Sequence, residues 1–84
     1  MRSCDGCRMF KPVFQQLPGV VPEARFFRMN MMKSIPNLRL SEELGVELTP
    51  TTVVFCNGGL AGAMVGHMPL DEAVEALRSI LGSC

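Results

Sequence analysis

Apolar positions along this chain recur at several spacings, and each spacing predicts a different element. Cys7, Phe10, Phe14 and Leu17 follow one another at offsets of three, four and three, with Val13 beside them. That is the stripe of an amphipathic helix. Pro12 falls inside it, where a ring removes one amide donor and crowds the preceding turn, so a kink is expected there, and Pro18-Gly19 should end the helix. Residues 24–31, Ala-Arg-Phe-Phe-Arg-Met-Asn-Met, are mostly apolar with Arg25, Arg28 and Asn30 interrupting, and read as a strand. Ser34 can cap a short helix with Pro36 at its second position and Leu40 and Leu44 on its inner face. Gly45 suits the left-handed position after that helix.

Farther on, Thr51–Cys56 is β-branched and apolar on both parities, the pattern of a strand covered on both faces. Asn57-Gly58 tolerates the positive φ angles of a tight hairpin turn, so Leu60 to Val65 should return antiparallel to that strand. A last helix begins around Pro69, with Asp71 and Glu72 near its positive end and Leu70, Val74, Leu77 and Leu81 as its buried stripe; Gly82 closes it. The order helix-strand-helix-strand-strand-helix makes this an α/β chain with a C-terminal β-hairpin followed by a helix.

With 84 residues the chain has room for one domain, residues 1–84, and one modest core. Its composition, 48% hydrophobic and 19% charged, suits a globular protein better than a disordered one. Eight basic residues against eight acidic ones create no phosphate-seeking field, so nucleic acid and anionic lipid are not expected partners. The opening residues Met1 to Cys7 are polar where a signal peptide needs an apolar stretch, and no run approaches the ~18 apolar residues of a membrane span. A reducing, cytoplasmic setting is the default expectation, with an organelle open if a targeting segment preceded Met1. In such a setting four cysteines point to catalysis or metal binding before structural staples.

Cys4 and Cys7 stand where the first helix begins. A Cys-x-x-Cys pair there has a specific use: the first sulfur lies beside unpaired amides and the positive helix end, which favour thiolate over thiol. Cys4 is thus the candidate nucleophile. Cys7, one turn on, can attack a mixed disulfide formed on Cys4 and release the reduced substrate. The same spacing also supplies half of many zinc sites, so on spacing alone both chemistries stand.

The neighbouring residues extend the pattern. Cys-Asp-Gly-Cys-Arg-Met-Phe-Lys-Pro-Val-Phe from Cys4 to Phe14 resembles the active-site helix of thioredoxins, including Pro12 five residues after the second cysteine. Phe26-Phe27-Arg28-Met29-Asn30 is similar to that family's next strand, Glu42-Glu43-Leu44-Gly45-Val46 to its third helix and exit, and Leu48-Thr49-Pro50-Thr51 to its cis-proline loop. Phe55-x-Asn57-Gly58 and Val65-Gly66 resemble its terminal hairpin. The resemblance implies a thioredoxin-like fold and a protein-disulfide reductase in which Cys4 attacks and Cys7 resolves. It further implies that a cis Thr49-Pro50 bond and Gly66 hold an extended substrate backbone, with protein disulfides as substrates and a thioredoxin-reductase-type electron donor. It implies no cofactor and no metal.

The departures from the family are as informative. Its usual Trp-Cys-Gly-Pro-Cys is replaced here by Ser3-Cys4-Asp5-Gly6-Cys7, so a tryptophan is absent and a rigid proline has become glycine, which should leave the pair more mobile. Asp5 places a negative charge between the sulfurs, which opposes thiolate formation, and Arg8 can offset part of it. Thioredoxins run strand, helix, strand before their cysteines, whereas three residues precede Cys4 here, so the expected fold is an N-terminally truncated one. The second of those strands lies between the counterparts of residues 24–31 and Thr51–Cys56 and bears the family's buried acid. Each buried backbone group left unpaired by its loss costs about 1–3 kcal/mol. Direct pairing of the remaining strands, edges supplied by a second copy, or a poorly folded product are the three ways out. A non-catalytic module that binds a partner or self-associates through unpaired strand edges is therefore the rival to the reductase.

Simpler expectations attach to the rest. Cys56 ends a buried strand as a small hydrophobe, and Cys84 is a loose tail thiol. A four-sulfur zinc site from all the cysteines lacks a second close pair. His67 lies by the expected substrate groove, where contact with substrate or sulfurs competes with the simpler reading of a solvated side chain. Arg28 is read as an exposed strand charge, with a place near the sulfurs as the alternative by analogy with some thioredoxins, and Met29, Met31 and Met64 as core filler.

Overall fold

A computed structural model describes residues 4–84; Ser3, which stands where the family has tryptophan, lies outside the described residues. The elements run α1 (Asp5–Val20), α2 (Ile35–Glu43), β1 (Thr51–Cys56), β2 (Gly59–Val65) and α3 (Leu70–Leu81). It is a small mixed structure of three helices and one two-stranded antiparallel sheet among the described residues, consistent with an α/β thioredoxin-like domain.

The hairpin forms because its turn residues can adopt left-handed angles. Asn57 has φ 54° and Gly58 φ 82°, as a two-residue turn of matching twist demands. Thr51 stands opposite Val65, Thr52 opposite Met64, Val53 opposite Ala63 and Val54 opposite Gly62. An irregularity between Val54 and Phe55 then brings Phe55 opposite Leu60 and Cys56 opposite Gly59. One face of this sheet meets α1 and α3 around Phe10, Val13, Leu17, Val21, Val54, Met64, Ala73 and Leu77. Close approach sets the position of α3. A Cβ on Gly62 would come within 3.1 Å of the Ile80 side chain, so any larger residue would require Ile80 to shift by a few tenths of an ångström.

Several expectations change. Residues 25–30 form no strand, and the order is helix-helix-strand-strand-helix. A strand exists only through a ladder partner, and among the described residues none is offered; β1 pairs with β2 alone. Direct pairing of residues 24–31 with β1 does not occur. The segment is instead tied at its ends, by Ala24 N–H to the Val21 carbonyl at 3.3 Å and by Met32 N–H to Asn30 Oδ1 at 2.9 Å. Phe26 packs edge-on against Phe14 at 5.7 Å, while Arg28 and Met29 are exposed and Met31 is half-buried. Of the three methionines read as core filler, only Met64 is buried.

The strand β1 is covered on one face, not two: Val54 is buried and Phe55 is 54% exposed. The other face, with Val53, Leu60, Ala63 and Val65, is bordered by Leu44 at the end of α2 and by Leu48. The first helix also runs through Pro18-Gly19 to Val20. Burial of Leu17 and Val21 on the core rewards one further turn, and a proline near a helix end forfeits little there. In α2, Ser34 Oγ accepts from Asn37 N–H at 3.2 Å and Gly45 follows at φ 76°. Its buried residue, however, is Ser41, whose hydroxyl donates to the Leu38 carbonyl at 2.6 Å, while Leu40 is exposed and Leu44 half-buried. In α3, Pro69 is the N-cap and Ala73 joins Leu77 as the buried pair, with Leu70, Val74 and Leu81 half-buried. No described helix is long and apolar enough to cross a membrane.

Candidate active site

Cys4 is the N-cap of α1, in extended backbone at φ −128° and ψ 93°. A cap residue's side chain faces the unpaired amides of the first turn, and here the Cys7 N–H donates to Cys4 Sγ at 3.1 Å. Cys4 and Cys7 are joined as a disulfide, their Cα atoms 5.2 Å apart. Thr49 faces the same sulfur from across the chain: its Oγ1 is 3.4 Å and its carbonyl oxygen 3.6 Å from Cys4 Sγ. Of the two Thr49 groups, only the hydroxyl can donate to the sulfur of the oxidised pair. The Cys4 sulfur thus lies among the Cys7 amide, the Thr49 hydroxyl and carbonyl, and the positive end of α1.

The Thr49–Pro50 peptide bond is cis. The Gly66 N–H donates to the Pro50 carbonyl at 2.7 Å, so the loop is pinned to the residue that follows β2. Gly66 itself has φ 89°, a left-handed angle. The structure thereby brings Cys4, Cys7, Thr49, Pro50 and Gly66 into one neighbourhood at the N-terminus of α1.

Two further residues lie in this neighbourhood: Gly6, which the sequence did not single out, and His67, which it placed by the expected groove. A Cβ on Gly6 would lie 3.1 Å from Pro50 Cδ and 3.9 Å from His67 Cβ. Gly6 is thus a second point, beside Cys4 on Thr49, where the cysteine turn comes close to the proline loop. His67 is half-buried, not solvated. Its ring meets Phe10 edge-on at 6.1 Å, and its Nδ1 is enclosed without a hydrogen-bond partner among the described residues. The contact of Gly6 with Pro50 is seen only in space, since no spacing rule links position 6 to position 50.

Asp5 in the first turn is paired with Arg8, both well exposed, so the carboxylate between the cysteines has its counter-charge beside it. The remaining cysteines depart from expectation. Cys56 is half-buried and bonded to Cys84, so neither is a simple hydrophobe or a loose thiol. Their pair sits at the turn end of β1, whereas Cys4–Cys7 lies beside Thr49, which precedes the other end of that strand. The four sulfurs do not converge on one metal position.

No protein-family model matches the chain. A curated protein, the chloroplastic thioredoxin F of Oryza sativa subsp. japonica, is 25% identical over 80 residues. The match covers 95% of this chain and 41% of that protein, so the chain spans about two fifths of its relative's length. It supports a thioredoxin-like relationship, and with a cysteine pair at disulfide distance it suggests thiol–disulfide chemistry.

Proposed function

We propose that this protein reduces disulfides in other proteins by dithiol exchange at Cys4 and Cys7. The reduced Cys4 thiolate attacks one sulfur of a substrate disulfide, forming a mixed disulfide and releasing the substrate's other sulfur as thiolate. Cys7 then attacks Cys4 Sγ, closing the Cys4–Cys7 disulfide and freeing the second substrate thiolate, so two electrons and no other group pass to the substrate. The Thr49-Pro50 loop with Gly66 holds an extended substrate segment beside the sulfurs by backbone contacts. A dithiol donor of the thioredoxin-reductase class returns the pair to its reduced state.

The observation that carries this proposal is the sulfur of Cys4 set at the N-cap of α1, receiving the Cys7 amide and facing Thr49 of the cis-proline loop. In dithiothreitol-driven reduction of a protein disulfide, Cys4→Ser abolishes turnover and Cys7→Ser leaves a mixed disulfide on Cys4. Turnover by Cys4→Ser at the wild-type rate removes the assignment.

A second function is favoured by a different observation. The outer edges of β1 and β2 are unpaired among the described residues, and Phe55, Leu60 and Val65 stand exposed on the sheet. Self-association through those edges, without catalysis, predicts a sedimentation coefficient that rises with concentration in a chain that turns over no disulfide.

A further inference from the structure

The other two cysteines are brought together by features unrelated to the Cys-x-x-Cys turn. Cys56 is the last residue of β1, and Cys84 follows the end of α3 by three positions. Ile80 seated on Gly62 fixes the C-terminal end of α3 against β2. The chain then keeps wrapping: Gly82 N–H donates to the Arg78 carbonyl, Ser83 N–H to Ile80 and Cys84 N–H to Leu81, at 2.9, 3.1 and 3.1 Å. These contacts set Cys84 beside Cys56 with a Cα separation of 5.9 Å. That separation lies inside the range a disulfide spans without backbone movement. Cys84 is exposed and Cys56 half-buried, with the Asn57 side-chain amide donating to Cys56 Sγ at 3.6 Å, so a small thiol or disulfide can reach the pair.

We propose that Cys56 and Cys84 form a second thiol–disulfide site, which takes a low-molecular-weight disulfide of the glutathione class as oxidant and staples α3 to the hairpin. The Cys84 thiolate attacks one sulfur of oxidised glutathione, and the first glutathione leaves as thiolate. The Cys56 thiolate then attacks Cys84 Sγ, displacing the second glutathione and closing the bond. Two protein thiols are oxidised and one glutathione disulfide is reduced to two thiols; a dithiol reverses the sequence. The bond closes a loop of 28 positions around β2 and α3, which restricts the unfolded chain more than the folded one. The site stands on this geometry alone and does not depend on the exchange proposed for Cys4 and Cys7.

The test uses the full chain with Cys4→Ser and Cys7→Ser, equilibrated in glutathione buffers, alkylated and weighed. Expected is a chain two hydrogen atoms lighter, free of glutathione, at a poise where the same chain in urea is at least tenfold less oxidised. The oxidised form should also unfold at a higher urea concentration than the reduced form. Glutathione retained on Cys84, chain-to-chain disulfides, or equal urea midpoints would overturn the site. If the double variant does not fold, tryptic digestion of the wild-type chain decides. Cleavage at Arg8, Arg39 and Arg78 leaves Cys4 and Cys7 in one peptide but puts Cys56 and Cys84 in two. Recovery of residues 40–78 linked to 79–84 supports the site, and links from either of them to the Cys4–Cys7 peptide refute it.

Discussion

Two stretches of this chain carry bulky apolar side chains in comparable supply and meet opposite fates. In α1 and just beyond it, Phe10, Val13, Leu17 and Val21 are nearly sealed from solvent. Between Phe26 and β1, by contrast, Phe27, Met32, Ile35 and Leu48 are 61–80% exposed. Hydrophobicity does not separate the two; the kind of partner each pattern requires does. A helical stripe satisfies its own backbone and asks only for an apolar surface, which the hairpin and α3 provide. A strand pattern asks for a neighbour's amides and carbonyls as well, and the described residues supply none to residues 25–30. The chain there keeps one anchor on the core, Phe26 against Phe14, and then leaves it.

The sharpest way to break this contrast is to truncate one side chain from each stretch and compare urea unfolding. Leu17→Ala, at a position with no exposure, should lose roughly 2–5 kcal/mol, a large part of the about 5–15 kcal/mol typical of a domain. Phe27→Ser should change stability by no more than about 0.5 kcal/mol. Comparable losses from both would mean that residues 24–48 are covered in solution, and the distinction between the stretches would collapse.

A smaller effect is expected where the packed unit meets the candidate site. Gly6→Val pushes branched carbons into Pro50, and overpacking of this kind costs about 1–3 kcal/mol. Alkylation of the reduced Cys4 should change its rate in this variant while α3 keeps its helicity. A variant with wild-type stability and unchanged Cys4 reactivity would show that the cysteine turn and the proline loop are not in contact.

The smallest effect belongs to the clasp between the end of α1 and α3. Arg78 donates to Glu23 at 2.5 Å and to the Val20 carbonyl at 3.0 Å. The Glu23 carboxyl is held below its ordinary value by a hydrogen bond from its own backbone amide and then by Arg78. A carboxyl whose folded value is lowered contributes stability above its unfolded value and loses it as pH falls through the folded one. Glu23→Gln should therefore be slightly less stable than the wild type at neutral pH and equal to it in acid. Both side chains are about half exposed, so the difference should also shrink in high salt. A gap that persisted unchanged into acid would assign the clasp to packing and not to charge.

The cysteine turn of the candidate site was legible because its parts are local. A cap cysteine with its partner one turn on is found by spacing, whereas Thr49, Pro50 and Gly66 were singled out by the resemblance to thioredoxins and not by any period in the chain. The contact of Gly6 with Pro50, the packing of His67 against Phe10 and the Cys56–Cys84 pair were not legible. Each joins residues more than twenty positions apart, and no period in the chain relates them.

Periodicity and turn chemistry were enough for α1, the hairpin and α3, because a helix closes its own hydrogen bonds and Asn57-Gly58 dictates the turn within two residues. They were also enough to single out Cys4 and Cys7, whose geometry is that of one helical turn. What folding added was contact between distant parts: Gly6 under Pro50, Ile80 on Gly62, Cys84 beside Cys56, and His67 against Phe10. It also withheld a strand from residues 25–30 and full cover from the outer face of the hairpin. A strand and a sheet face are completed only by another part of the structure, and no residue can carry its partner's presence in its own identity.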